Sequence, residues 1–387
     1  MPTSSSHITH PDLLGSDEKL LRDSAKDFAR QIIAPKVAQM DSNAQLDEHI
    51  LQDLFEMGFM GIDVPAEYGG AGGNFMMSIL AIEQISQVDP AVGVVVDVQN
   101  TLVNDAIQSY GTEEQKNYYL PQLCANSLGA YALSEAQAGS DAFALSTTAQ
   151  EFDDHFVLNG SKLWITNALE ATYFIVFANA EPTEGYKGIT AFIVERDNPG
   201  LSIGKKEDKL GIRASSTCEI HLEDCIIPKD ALLGTLGQGY QIAINTLNVG
   251  RIGIGAQMVG LAQGAFDATL AYIEERKQFG RAISDFQAVR FELARMATEI
   301  ETARLLVYAA ANLKSHNKPF LKQAAMAKFH ASEVAERVSS KAIDLYGGNG
   351  YIKDYPVEKF FRDAKIGKIY EGTTNMQLST IAKLLLR

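Results

Sequence analysis

Apolar residues recur at helical spacing through the first third of the chain. Leu21, Ala25, Phe28 and Ile32 lie on one stripe of an amphipathic helix, and Pro35 is placed to break it. Residues 48–57 carry a second stripe through Ile50 and Leu54, and Gly58 stands where a left-handed cap ends a helix. Pro65 and the run Gly69-Gly70-Ala71-Gly72-Gly73 predict a turn-rich segment before another apolar helix near Ser78. Thr112 and Gln115 have the spacing of a capping box. The texture changes after Gly129. Phe156-Val157-Leu158 and Lys162-Leu163-Trp164-Ile165 flank Asn159-Gly160, which tolerates positive φ, so a hairpin is predicted there. Residues 173–178, 189–194 and 217–222 are short β-branched or aromatic runs between turn residues. From Gln238 the helical period returns, clearest in Val289, Leu293, Met296, Ile300, Ala303 and Val307, which are read as core. The pattern predicts an α+β chain in three parts: a helical domain over residues 1–129, an antiparallel β domain over 130–237 and a four-helix-like bundle over 238–387.

Composition narrows the function classes. With 387 residues, 46% of them hydrophobic, the chain can bury a large core. A net charge of −14 argues against a nucleic-acid partner, because neutralising phosphates needs a basic face. Cys124, Cys218 and Cys225 are odd in number and lack C-x-x-C spacing, so neither a disulfide framework nor a metal site is expected. No apolar run reaches membrane-spanning length. Residues 1–6 contain no signal-like apolar stretch and no arginine-rich one, so a cytoplasmic protein with a short frayed start is expected, or a mature mitochondrial-matrix chain trimmed of its leader.

The chemistry concentrates near the C-terminus. Tyr346-Gly347-Gly348-Asn349-Gly350-Tyr351 is followed by Tyr355-Pro356-Val357-Glu358-Lys359, Arg362-Asp363-Ala364-Lys365 and Ile369-Tyr370-Glu371-Gly372-Thr373. In this order and spacing the segments resemble the C-terminal signature of the flavin-dependent acyl-CoA dehydrogenases. The resemblance covers nearly the whole chain and is strongest to the short/branched-chain, 2-methyl-branched members, through residues 210–218, 250–254 and 353–367. It implies that Glu371 is the catalytic base. A carboxylate on a glycine-flanked turn is readily desolvated, which raises its basicity toward working pH. Without the preceding signature, a glutamate before Gly-Thr-Thr reads as an exposed helix cap.

The resemblance also implies an FAD site. Ser134, within Tyr131-Ala132-Leu133-Ser134, would bond near flavin N1 and O2, and Thr166 near N5. Backbone amides at Tyr131 and Leu133 would assist, and Trp164 would pack on the ring. Taken singly, these residues read as a buried core tryptophan and two turn hydroxyls. Arg276, Gln278, Phe279 and Gln287 would hold the diphosphate and adenine of a neighbouring subunit's FAD, as would Gly347, Gly348 and Gly350, with Thr373 also at the cofactor. A homotetramer follows. Ser140, Asn248, Arg251, Tyr370 and Gly372 would line the substrate path. The family often has Asp where Asn248 stands, and Gly or Pro where Gln137 stands. Relatives with the base on the preceding long helix carry Glu where this chain has Gly250, which leaves Glu371 unopposed.

The activity so implied is α,β-dehydrogenation of a short or branched acyl-CoA, with electrons passed to an electron-transfer flavoprotein. An alternative is oxidation of an acyl or aminoacyl group tethered to a carrier protein by the same phosphopantetheine handle. A binding protein that keeps the fold without the flavin is the remote third.

Overall fold

The computed structural model describes residues 14–386; the expected frayed start lies outside them. The first helical layer comprises α1 (Ser16–Phe28), α2 (Val37–Asn43), α3 (Glu48–Glu56), α4 (Phe75–Ser86), α5 (Pro90–Asp97), α6 (Asp105–Tyr110) and α7 (Glu113–Ala125). Gly58 has φ +73°, the left-handed position anticipated after α3. Thr112 and Gln115 form the capping box of α7, with Thr112 Oγ1 accepting from Gln115 N at 3.2 Å. Pro35 ends α geometry without turning the chain aside. A π-helical turn over Ala29–Ile33 and a 3-10 turn over Ala34–Lys36 carry the backbone through to α2, because changes of helical pitch accommodate the missing N–H.

The strands are β1 (Gly129–Ala132), β2 (Thr148–Glu151), β3 (His155–Thr166), β4 (Tyr173–Asn179), β5 (Ile189–Glu195), β6 (Leu201–Lys206), β7 (Thr217–Pro228) and β8 (Leu232–Leu233). Their order is β6-β7-β3-β2-β4-β5-β8, and β1 pairs with β4. The sheet is mixed: β1–β4 and β2–β4 are parallel and the remaining pairs antiparallel. Their buried faces form a core of their own, including Phe156, Leu158, Phe174, Phe192 and Ile220.

The hairpin expected at Asn159-Gly160 is not there. Both residues lie within the continuous strand β3, where the pairing with β7 shifts register between Leu158 and Gly160. The turn comes earlier, before His155, whose carbonyl accepts from Phe152 N at 2.9 Å. Gly160 is bare because Thr147 crosses it: a Cβ would lie 2.6 Å from Thr147 Oγ1. Asn159 bonds across the strand, its Oδ1 accepting from Asp224 N at 2.8 Å. The residue types that favour a turn here serve a bulge and a close approach.

The C-terminal part contains α8 (Gly239–Glu275), a short ribbon of β9 (Lys277–Gln278) and β10 (Arg281–Ala282), α9 (Gln287–Ser315), α10 (Leu321–Tyr346), α11 (Val357–Ala364) and α12 (Thr374–Leu385). On α9, Met296, Ile300, Ala303 and Val307 are buried, while Val289 and Leu293 near its start are half-buried. One apolar core runs through both helical parts, joining Ile79 and Ile82 of α4 to Met258 of α8 and Val334 of α10. Among the described residues no helix is long and apolar enough to cross a membrane.

Candidate active site

Glu371 lies between a 3-10 turn (Lys365–Lys368) and α12, with φ +51°, and Gly372 follows at φ +84°. A left-handed glutamate costs about 1 to 2 kcal/mol, so neighbours must hold it. Gln377 Nε2 donates to the carbonyls of Glu371 (3.0 Å) and Gly372 (2.9 Å), and Lys328 Nζ on α10 donates to the Gly372 carbonyl at 2.7 Å. The turn aims the carboxylate at α8. A Cβ on Gly250 would come within 3.2 Å of Glu371 Oε2 and 2.8 Å of Leu102, so this space exists only because residue 250 is glycine.

Glu371 Oε2 is buried and accepts no hydrogen bond among the described residues. Burial pushes the carboxyl up to about 7, against the opposing pull of the Arg251 and Lys328 charges. Arg251 Nη1 donates to Asn248 Oδ1 at 2.7 Å, but its Nε is buried without a partner, and burial holds its pKa below the usual value. Asp97 completes the enclosure. Burial drives its carboxyl well above the usual range, Thr101 Oγ1 donates to it at 2.9 Å, and the charge of Glu371 adds to the upward shift. Tyr370 lies in the same turn, its hydroxyl donating to Gln257 Oε1.

The sheet reaches this enclosure through β1, where the buried Tyr131 hydroxyl bonds Thr246 Oγ1 of α8 at 2.6 Å. Two segments distant in sequence meet beyond it. Leu163 N donates to the Ser134 carbonyl at 2.9 Å, which sets Leu133-Ser134 beside Trp164 and Thr166. A buried ion pair braces them: Lys162 Nζ reaches Glu135 Oε1 at 2.8 Å and the Leu133 carbonyl at 3.2 Å. Burial alone would raise the Glu135 carboxyl, but Lys162 and its hydrogen bonds take it down to about 2. Gln137 belongs to the same brace, donating to Glu135 Oε2 (3.0 Å) and Ser146 Oγ (2.6 Å). Trp164 is not a core anchor: it is left-handed, at φ +59°, and 55% exposed. The Ser134 and Thr166 hydroxyls have no hydrogen-bond partner among the described residues. An exposed indole beside two unengaged hydroxyls fits the edge and face of a planar, hydrogen-bonding ring system.

The remaining predicted residues lie elsewhere. Arg276, Gln278 and Gln287 are exposed on or beside the β9–β10 ribbon, and Phe279 at its tip is 94% exposed with φ +52°. Gly347 and Gly348 are exposed, with open space where a Cβ would stand. Gly350 differs. It is buried against α10, where a Cβ would meet the Ile343 carbonyl at 2.8 Å, so its bareness serves the chain's own packing. No hydrogen bond or ring contact joins the ribbon or this glycine run to the Ser134–Trp164 platform among the described residues. Ser140 is exposed near the platform, and Thr373 caps α12 with backbone alone.

Sequence reasoning missed Lys328, Gln377 and Asp97. The lysine had a legible signal, since it interrupts the buried alanine face of α10 (Ala324, Ala327, Ala331). Asp97 had the same kind of signal, as the one acid in the buried apolar run of α5, whereas Gln377 had none.

Helices, a mixed sheet and a helical bundle thus meet around one buried turn that carries Glu371, its carboxyl raised to about 7. Three family models match the chain: the acyl-CoA dehydrogenase N-terminal domain over residues 15–127, the middle domain over 130–225 and the C-terminal domain over 237–386. The chain belongs to the acyl-CoA dehydrogenase family and is an enzyme of that class, a flavin-dependent oxidoreductase acting on a carbon–carbon single bond. It is 55% identical to a probable short/branched chain specific acyl-CoA dehydrogenase of Dictyostelium discoideum, over 99% of this chain and 93% of that one. Among solved structures it resembles butyryl-CoA dehydrogenase from Megasphaera elsdenii (41% identity, TM-score 0.95, covering 97% of this chain and 99% of that one). It also resembles the prolyl acyl carrier protein oxidase AnaB (32% identity, TM-score 0.93, covering 96% and 99%).

Proposed function

We propose that the protein converts a short or 2-methyl-branched acyl-CoA to its α,β-enoyl thioester, with Glu371 removing the α-proton. The observation that carries this reading is the buried, unpartnered Glu371 Oε2, on a carboxyl raised to about 7. Such a group is ionised in a useful fraction at neutral pH and still basic enough to accept a proton from carbon. As the proton leaves, negative charge grows on the thioester oxygen and needs a donor held ready. The Glu371 backbone N–H is suited to that role, since it makes no hydrogen bond among the described residues. Arg251, Asn248, Tyr370, Gly372 and Ser140 are assigned to the substrate path.

FAD is the cofactor of this reading, and when bound it supplies the acceptor for the hydride that leaves the β-carbon. Ser134 and Thr166 would hold the ring edge, Trp164 its face, and the backbone at Tyr131 and Leu133 one rim, with Thr373 nearby. Arg276, Gln278, Phe279 and Gln287, together with Gly347 and Gly348, are assigned to the diphosphate and adenine of a second copy's FAD in a homotetramer. An exposed phenylalanine at a left-handed tip supports that assignment, because within the described residues its one ring contact is an edge-on one with Phe286 that leaves most of the ring in solvent. Arg276→Ala should therefore lower FAD occupancy and weaken tetramer assembly together, measured by flavin absorbance and analytical ultracentrifugation. A stable monomer holding full FAD refutes the assignment. Electron transfer to a separate electron-transfer flavoprotein completes the cycle, in the bacterial cytoplasm or the mitochondrial matrix.

The 55% identity to a short/branched chain enzyme favours CoA over a carrier-tethered substrate. A panel of paired CoA and carrier-protein thioesters tests this. Butyryl-CoA and 2-methylbutyryl-CoA should give the highest kcat/KM. Selectivity is worth roughly 1 to 3 kcal/mol per methylene, and preference for a twelve-carbon chain or a carrier thioester would overturn the reading.

A further inference from the structure

Lys328 is fully buried in α10, and its ammonium donates to the Gly372 carbonyl at 2.7 Å. Its neighbours on the buried face of α10 are alanines and Ser332, so no acidic group of its own helix calls for a cation there. Desolvating an ammonium is costly unless charge and hydrogen bonds offset the loss of water, and the negative charge acting on it is that of Glu371. One turn further along α10, Ser332 Oγ donates to the Gly367 carbonyl at 2.8 Å, so one face of this helix grips both ends of the segment that presents the base.

We propose that Lys328 is a positioning residue for proton abstraction: its ammonium pins the left-handed turn that aims the Glu371 carboxylate and balances that carboxylate's charge inside the enclosure. The proposal rests on Glu371 being the base. Glu371 also faces Arg251 and Gly250 from α8, Asp97 from α5, Tyr131 from β1 and Tyr370 in its own turn. Of these, Arg251 is the other cation. Burial drops the Lys328 ammonium to about 7, with Glu371 opposing the fall and Arg251 adding to it. Removing the ammonium leaves Glu371 with less to offset its burial, so its ionisation moves to higher pH.

The test is the pH dependence of anaerobic flavin bleaching by butyryl-CoA in the holoenzyme, for wild type, Lys328→Met and Lys328→Gln. Losing a nearby opposite charge shifts a carboxyl by about 1 to 3 pH units. The acid limb of the rate profile should move up by that amount in both variants, with the rate recovering toward wild type in alkali. A carboxyl band in infrared pH titration, assigned by its loss in Glu371→Gln, should move by the same amount without substrate. An unmoved limb and band, with a loss of rate uniform across pH, would overturn the proposal. Should neither variant fold, Lys328→Arg keeps the charge, so its limb must stay within a few tenths of a unit of wild type; a shift there overturns the proposal equally. Glu371→Gln, run in parallel, separates the two readings: bleaching that survives in it refutes Glu371 as base, whereas a dead Glu371→Gln beside unmoved Lys328 variants refutes only the role of the lysine.

Discussion

Glu371→Gln should abolish turnover while leaving the fold and flavin in place. The amide is nearly isosteric but cannot take the α-proton at neutral pH, so flavin bleaching should slow by at least the roughly 10²- to 10⁴-fold that a general base supplies. A binding-induced shift of the flavin spectrum should persist. The same substitution should stabilise the protein in alkali. Glu371 has its folded pKa raised from 4.5 to about 7, so the fold binds its proton more tightly than the unfolded chain does. Its stabilising contribution is therefore complete below the unfolded value and is lost as pH rises through the folded one. At pH 8 the ionised carboxylate costs on the order of 3 kcal/mol, which the neutral amide avoids. In wild type, bleaching should fall as pH drops below about 7, where the base protonates. A variant that bleaches at close to the wild-type rate would move the base elsewhere, and one with an unchanged Tm at pH 8 would contradict the burial argument.

Lys359→Met should be the most damaging substitution away from the site. Lys359 Nζ lies 2.8 Å from Asp89 Oδ1 and 2.6 Å from Asp363 Oδ2, with all three groups buried, and Ile212 N donates to Asp363 Oδ1 at 2.5 Å. This one network ties α11, the N-cap of α5 and the loop before β7. Burial opposes charging Lys359, yet the two carboxylates raise its pKa above the usual value. Taking away the cation leaves two uncompensated carboxylates inside the protein. Breaking a buried pair in this way costs about 3 to 5 kcal/mol. A fall of that size in chemical denaturation is expected, or failure to accumulate as folded protein. A loss under 1 kcal/mol would show that water reaches the network.

The legible features were those in which local chemistry and function coincide. Gly58 after α3 and the Thr112–Gln115 box were predictable because caps are decided within one helical turn. Asn159-Gly160 misled because a bulge and a turn ask for the same residue types, and the choice was made by Thr147, just before β2, and Asp224 of β7. Trp164 misled in the other direction: the left-handed backbone that turns its ring outward is set by the register shift between β3 and β7, which no residue near it announces. Gly350 resembled its neighbours Gly347 and Gly348 in sequence and differs from them only in having α10 against it.

By itself, the sequence determined the family, the order of helices, sheet and bundle, and Glu371 as the candidate base. The order of elements follows from periodicity, and the family and Glu371 from the resemblance that the C-terminal motifs carry, all of them properties of the chain before it folds. The tertiary structure alone decided the surroundings that make this glutamate different from others. Lys328 is brought to Gly372 across 44 residues, Lys359 to Asp89 across 270, and Asp97 and Gly250 to the carboxylate from two separate helices. Burial and the nearness of charge are set by which surfaces meet, and the basicity of Glu371 depends on both.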